Sequence, residues 1–259
     1  MTQPVNEPFV WEKYRQGRSV EAVGVVIRSL NKSFGDNLVL RDLNLEVTPG
    51  ETLVILGKSG TGKSVLLRHI IGLMKPDSGA VTVGEIDVED QEFRKKHTLA
   101  IVFQSAALFN SLSVGDNVAL YLREHRIYGE EEIRDVVRET LTVVGLEGKE
   151  DVMPSELSGG MKKRVAIARA LAMSPELILY DEPTGELDPM MTHTIGDEIL
   201  KLRKRFVVTQ IVVTHDVYLA FYVADRIAVL DEGSIIEIGA PEKLRRSTNS
   251  ITRDFLRSL

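Results

Sequence analysis

The chain has no cysteine, which excludes disulfides, thiolate metal sites and a cysteine nucleophile. Long apolar runs are also missing. Leu53 to Leu56 and Ile227 to Leu230 are typical of the longest, far short of the ~20 residues that cross a bilayer. An excess of basic residues is missing too: 32 Lys+Arg against 38 Asp+Glu give a net charge of −6, which argues against a nucleic-acid partner, since such proteins carry a basic face. The first sixteen residues hold Pro4, Pro8 and mixed charges without a continuous apolar stretch, unlike a secretory signal. The expectation is a cytosolic chain. Tryptophan is nearly absent, and Trp11 reads as an anchor or a packed side chain.

What remains is an ordinary globular composition, 43% hydrophobic and 27% charged over 259 residues, enough for one large domain or two packed ones. Apolar, β-branched runs recur at Val23 to Ile27, Leu53 to Leu56, Ala100 to Phe103, Leu177 to Tyr180, Ile211 to Val213, Ile227 to Leu230 and Ser234 to Ile238. Segments of helical spacing lie between several of them, for example Ser64 to Leu73 and Arg164 to Ala172. Alternation of this kind predicts an α/β fold with parallel strands at its centre. Ser113 to Met153 breaks the pattern, being charged, strand-poor and helical in period through Glu130 to Val144, and reads as a helical insertion. The expected organisation is an N-terminal extension (1–22), a catalytic domain (23–240) with a helical subdomain at about 105–160, and a helical tail (241–259). Tail residues Phe255 and Leu256 are candidates for docking on a second copy or a partner. The basic run Lys201, Arg203, Lys204, Arg205 reads as the solvated end of a helix.

Gly57-Lys58-Ser59-Gly60-Thr61-Gly62-Lys63-Ser64 matches G-x-x-x-x-G-K-[ST] and follows a predicted strand at the start of a predicted helix. Glycines let successive backbone N–H groups face phosphates, and the helix N-terminus adds partial positive charge. Lys63 would reach the β and γ phosphates and the Ser64 hydroxyl would bind Mg²⁺. Leu177-Ile178-Leu179-Tyr180-Asp181-Glu182 is an apolar strand that delivers two carboxylates to the crevice where open α/β sheets bind ligands. Asp181 suits Mg²⁺ coordination, and Glu182 suits polarisation of an attacking water. Taken alone, Asp-Glu after a strand is equally a turn. Leu157-Ser158-Gly159-Gly160 starts a second helix able to bind an anion. One nucleotide does not need two cradles, so the pair suggests two copies meeting head to tail.

With these three motifs in this order, the sequence resembles the ATP-binding cassette family from about Val23 to Gly239. The resemblance implies a phosphate-loop NTPase core of RecA-like type with an antiparallel β subdomain and an inserted helical subdomain. It also implies that the chain binds and hydrolyses ATP with Mg²⁺ in a head-to-tail dimer. Residue roles follow by position. Phe34 matches the aromatic that stacks on adenine. Gln104 matches the glutamine that senses Mg²⁺ and water and couples the site to a partner. Asp188 matches the aspartate linking the two sites, and His215 matches the histidine at the γ-phosphate. Read singly, each would be a locally hydrogen-bonded residue. Two positions depart from the common pattern, Met161 in place of the signature glutamine and Gly185-Glu186 in place of a small pair. Slower or differently regulated turnover is the expectation from them.

Phe103 to Asn110, Asp116 to Val118, Leu122 to His125 and Met153 to Met161 look like the ATPases of Mla- and Mce-type lipid transporters, a group in which Met161 is the usual signature residue. That likeness implies a peripheral subunit at the cytoplasmic face of the inner membrane, with an integral membrane permease and a lipid-binding substrate protein as partners. The insertion near Gln104 to His125 would cup a short permease helix. Importers of other solutes share the same catalytic set. Soluble cassette ATPases acting in DNA repair, on ribosomes or in cluster assembly form a separate class. The long coiled coil of the repair enzymes and the tandem cassettes of the ribosomal ones are both missing here. A simple phosphate-loop kinase would leave Ser158 to Gly160 unused.

Overall fold

The computed structural model describes residues 21–185 and 187–257. Trp11, Glu186 and the last two residues of the tail lie outside them. Strands β1 (Val25–Phe34), β2 (Asn37–Val47), β4 (Ser78–Val83) and β5 (Ile86–Asp87) form an antiparallel sheet in the order β2-β1-β4-β5. Strands β3 (Thr52–Leu56), β6 (Leu99–Val102), β7 (Leu177–Asp181), β8 (Thr209–Thr214), β9 (Arg226–Asp231) and β10 (Ser234–Gly239) form a second sheet in the order β10-β9-β3-β8-β7-β6. Its strands are parallel except β10, which runs antiparallel to β9.

The second sheet is covered on both faces, and the period-2 geometry of a strand assigns each residue to one of them. Leu53 and Ile55 of β3, with Leu177 and Leu179 of β7, pack on the antiparallel sheet and on helix α1 (Lys63–Ile70) through Leu66, Leu67 and Ile70. Val54, Leu56, Ile178 and Tyr180 face the other way, into the helical layer. That layer contains α3 (Val114–Glu124), α4 (Glu130–Val143), α5 (Gly159–Ala172), α6 (Pro189–Arg205) and α7 (Val217–Val223). A short α2 (Phe93–Lys96) precedes β6. Two small helices close the described chain, α8 (Pro241–Leu244) and α9 (Ser250–Leu256).

The expected strands, the helical insertion and the helical tail are all present, with shifted bounds. The phosphate-loop helix ends at Ile70 rather than Leu73, and β6 stops at Val102, leaving Phe103 exposed. Strand β2 was not anticipated. Its inward residues Leu43, Leu45 and Val47 alternate with polar ones, but the left-handed Asp42 (φ 40°) and breaks in register interrupt the pattern upstream. In the tail, Phe255 is buried in the chain's own helical-layer core instead of waiting for a partner. Thr252 donates to Glu237 Oε2 at 2.6 Å and ties α9 to β10. Three residues of the basic run are ion-paired: Lys201 with Glu198, Arg203 with Asp225 and Arg205 with Glu139.

Tyr180, fully buried, donates through its hydroxyl to Gln210 Oε1 at 3.0 Å, and Gln210 Nε2 donates to the Ile199 carbonyl. Removing the hydroxyl would leave a buried amide oxygen without its donor. Tyr180→Phe is therefore expected to lower unfolding free energy by about 1–2 kcal/mol in a urea titration, the usual cost of a stranded buried acceptor.

Candidate functional site

The site is assembled where β3, β7 and β8 end together. In-sheet residues of these strands are buried on both faces, so their polar neighbours collect at the C-terminal ends. Asp181 is opposite Val213 in the β7–β8 register, and Leu56 is opposite Thr214 in the β3–β8 register. This brings Gly57–Ser64, Asp181–Glu182 and Thr214–His215 to one edge.

The loop needs its glycines for two different reasons. Gly62 adopts φ +99° and lies against β2, where a Cβ would meet Leu40 Cδ2 at 2.9 Å and the Val39 carbonyl at 3.2 Å. Gly57 has no room: a Cβ would sit 2.7 Å from the Leu230 carbonyl and 2.8 Å from Thr61 Oγ1. Thr61 donates to the Lys58 carbonyl at 2.9 Å and closes the turn. Lys63, only 5% exposed, donates to the carbonyls of Gly57 (2.7 Å) and Lys58 (3.0 Å) and pairs with Glu182 Oε1 at 3.1 Å. A lysine ammonium has three donors, and three acceptors meet it here.

Glu182 sits one residue past the strand with φ +47°, a conformation that costs a non-glycine residue on the order of 1 kcal/mol. Its second oxygen, Oε2, accepts from Thr214 Oγ1 (3.1 Å), the His215 amide (3.2 Å) and His215 Nδ1 (2.9 Å). The imidazole is itself largely exposed. Ser64 donates to Asp181 Oδ1 at 2.9 Å. Burial pushes the Asp181 carboxyl above its ordinary range and the neighbouring Glu182 charge adds to this, while the Ser64 hydroxyl, Lys63 and Arg68 oppose it.

The second glycine-rich helix start is well formed but elsewhere. Ser158 caps α5, its hydroxyl accepting from the Met161 amide at 3.3 Å. Gly160 is buried against the Met191 side chain, and Gly159 faces Leu187. Asp188 caps α6 by accepting from the Met191 amide at 2.9 Å. These residues belong to the helical layer, whereas Lys63 and Ser64 open a helix on the opposite face of the sheet. One chain thus carries two glycine-rich helix starts whose helices pack in separate layers.

The structure therefore brings Gly57, Lys58, Ser59, Gly60, Thr61, Gly62, Lys63, Ser64, Asp181, Glu182 and His215 to one edge, and groups Ser158, Gly159, Gly160 and Asp188 apart from them. Phe34 ends β1 and is half exposed, with the Lys32 ammonium 5.8 Å from its ring. Gln104 is exposed just past β6, its side chain lying against Gly185. A Cβ on Gly185 would stand 3.1 Å from Gln104 Nε2 and 3.2 Å from its Cγ, so the departure at Gly185 leaves the space that Gln104 fills. Met161 packs its side chain on the helical-layer core. Thr214, which holds Glu182, is the last residue of β8, one beyond the strand expected at Ile211 to Val213. The motif spelling Val213-Thr214-His215-Asp216 was the signal for it.

Because burial raises the Asp181 carboxyl, its charged form opposes folding: that group's contribution is favourable below the ordinary carboxylate range and is lost as pH rises through the raised value. Asp181→Asn is accordingly expected to raise the melting temperature of the nucleotide-free chain at pH 8 and to leave it nearly unchanged at pH 3, as read by thermal circular dichroism.

Residues 40–185 match the profile of the ABC transporter family. A relative named "Probable ribonucleotide transport ATP-binding protein mkl", from Mycobacterium leprae, is 40% identical over 93% of this chain and 70% of its own length. The "Fe(3+) ions import ATP-binding protein FbpC" of Escherichia coli O157:H7 is 38% identical over 87% of this chain, which spans 64% of that relative. The post-hydrolysis dimer of the ATP-binding cassette MJ0796 bound to ADP and Pi superposes with a TM-score of 0.74 at 33% identity, covering 84% of this chain and 98% of the other. The cbiO1 protein of Clostridium perfringens, part of the cbiONQ transporter complex, gives 0.79 at 32%, covering 90% and 94%. By this match and these relatives the chain belongs to the ABC transporter family, as an ATP-hydrolysing subunit.

Proposed function

We propose that two copies of this chain close head to tail on two ATP molecules and thereby power a separate membrane permease that moves lipid through the cell envelope. What supports the closure is that the two glycine-rich helix starts belong to helices packed on opposite faces of one sheet. Lys63 with the loop amides takes the β and γ phosphates of one ATP, and Ser158 to Gly160 of the second copy covers the same γ-phosphate. Phe34, exposed at the end of β1, stacks on the adenine. Asp188 lies at the seam between the copies.

The chemistry needs only positioning and charge neutralisation. Arriving phosphate replaces Glu182 as the partner of the Lys63 ammonium, which frees the carboxylate to accept a proton from the attacking water. Water oxygen bonds to the γ-phosphorus, the β–γ bridging bond breaks, and ADP leaves with the bond's electron pair. His215 steadies the γ-phosphate, and Gln104 orients the water from the other side. Among the described residues no cluster of three or more acidic or histidine side chains could hold a metal alone. The Ser64–Asp181 pair fits a Mg²⁺ that also takes phosphate oxygens, because a cation offsets the cost of keeping a buried carboxylate charged. Gln104 is the further residue that the resemblance assigns to this ion, and Mg²⁺ held there would neutralise phosphate charge.

No helix of the described residues is long and apolar enough to cross a membrane, so transport calls for a separate permease. Exposed Phe103 and Phe109 flank the Gln104 segment and offer apolar surface for a short permease helix at the cytoplasmic face. The lipid assignment, with a lipid-binding substrate protein in the same complex, rests on the blocks Phe103 to Asn110 and Met153 to Met161. The FbpC relatives, identical at 38% of aligned positions, favour a second reading, an importer for another solute.

Lys63→Ala should abolish ATP binding in a titration with a fluorescent ATP analogue. Glu182→Gln should keep ATP binding, lose turnover by about a hundredfold or more, and sediment as a dimer with MgATP. A Glu182→Gln chain that stays monomeric at saturating ATP overturns the closure. For cargo, purification in mild detergent from native membranes is expected to bring down a polytopic permease with bound phospholipid. A permease that arrives without lipid favours the importer reading.

A further inference from the structure

Two cations of α5, the helix capped by Ser158, reach across to Gln104 and the chain segment just after it. Lys163, buried, donates from Nζ to the Gln104 carbonyl. Arg169, near the end of the same helix, donates from Nη1 to the Ala107 carbonyl at 2.7 Å and from Nη2 to the Ala106 carbonyl at 3.0 Å. Both alanines are left-handed, with φ of 61° and 47°. Consecutive non-glycine residues rarely take that conformation, and it persists where surroundings over-determine it. Turned this way, the two carbonyls point at one guanidinium, whose planar fork suits a pair of acceptors in a way an ammonium does not.

We propose that Lys163 and Arg169 are positioning residues that latch the Gln104 segment to the signature helix, so that Ser158 and Gln104 move as one body. The two groups serve different nucleotides in the head-to-tail reading, on which this inference rests: Ser158 covers the partner's γ-phosphate while Gln104 addresses the chain's own. A latch between them makes arrival of the signature at one site and orientation of water at the other a single event. The latch does not touch ATP. It acts on how well Gln104 is placed once ATP is bound, so it governs kcat and leaves nucleotide affinity alone. Neither Lys163 nor Arg169 emerged from motif reading, because both look like ordinary cations of a charged helix.

The absence of cysteine allows unique spin labels at two introduced cysteines, Ser105→Cys and Ser155→Cys, both at exposed positions. In the otherwise unchanged chain the label-to-label distance is expected to be single and narrow with and without MgATP. Arg169→Lys, which keeps the charge but loses the fork, should broaden that distance. It should also lower kcat by about a hundredfold, the scale of a ~1 Å misplacement, while KM for MgATP changes less than about threefold. If Arg169→Lys does not fold, Lys163→Met is expected to give the same two changes. A distance as narrow as the parent's, or a kcat within about twofold of it, overturns the latch. A parent chain that does not hydrolyse ATP overturns the functional reading alone, since the label distance still reports on the latch.

Discussion

Strands β3, β7 and β8 are buried on both faces, and that constraint organises everything else. A strand enclosed by two apolar layers has no place for charge along its length. Charged groups are therefore displaced to the strand ends, where three neighbouring strands finish at one edge and supply the loop amides, Asp181, Glu182, Thr214 and His215. The same constraint separates the two glycine-rich helix starts. Leu66, Leu67 and Ile70 cover one face and Val165, Ile167 and Ala168 belong to the other, so the two helices lie on opposite faces of the sheet.

At that edge the chain satisfies itself. The Lys63 ammonium is held by two loop carbonyls and by Glu182, and Glu182 in turn is held by Thr214 and His215. A buried cation without partners would be costly, so the carboxylate stands where phosphate charge would otherwise be. On the proposed reading, exchange of one anion for another would leave Lys63 paired throughout and change the surroundings of Glu182 when a base is needed. Asp181 shows the complementary tension, a carboxyl pushed up by burial and held by one hydroxyl, which a cation would relieve.

Much of this was legible from local spelling. A phosphate loop is written within eight residues, because glycine tolerance, helix start and lysine reach are all short-range properties, and Gly57 and Gly62 meet those requirements. Asp181 and Glu182 were legible because an apolar run ended in charge. Less legible was β2, whose alternation is interrupted at Asp42. Phe255 reads as a free apolar tail residue until the chain folds back and buries it. The opening beside Gly185 was invisible as well. Met161 and Gly185-Glu186 read as departures that slow or re-regulate turnover, yet Gly185 is where the Gln104 side chain lies close by.

The sequence by itself determined the two cradles, the carboxylate pair, the helical insertion and the family, since each depends on residues close together along the chain. Tertiary structure decided which of these meet. Ser64 and Asp181 are 117 residues apart and Lys163 and Gln104 are 59 apart, and nothing in either local pattern states that they touch. They do so because β8 inserts between β3 and β7, and because the signature helix packs beside β6 in the helical layer. Those choices are made by the pairing order of strands and the burial of both sheet faces, and no short motif encodes them.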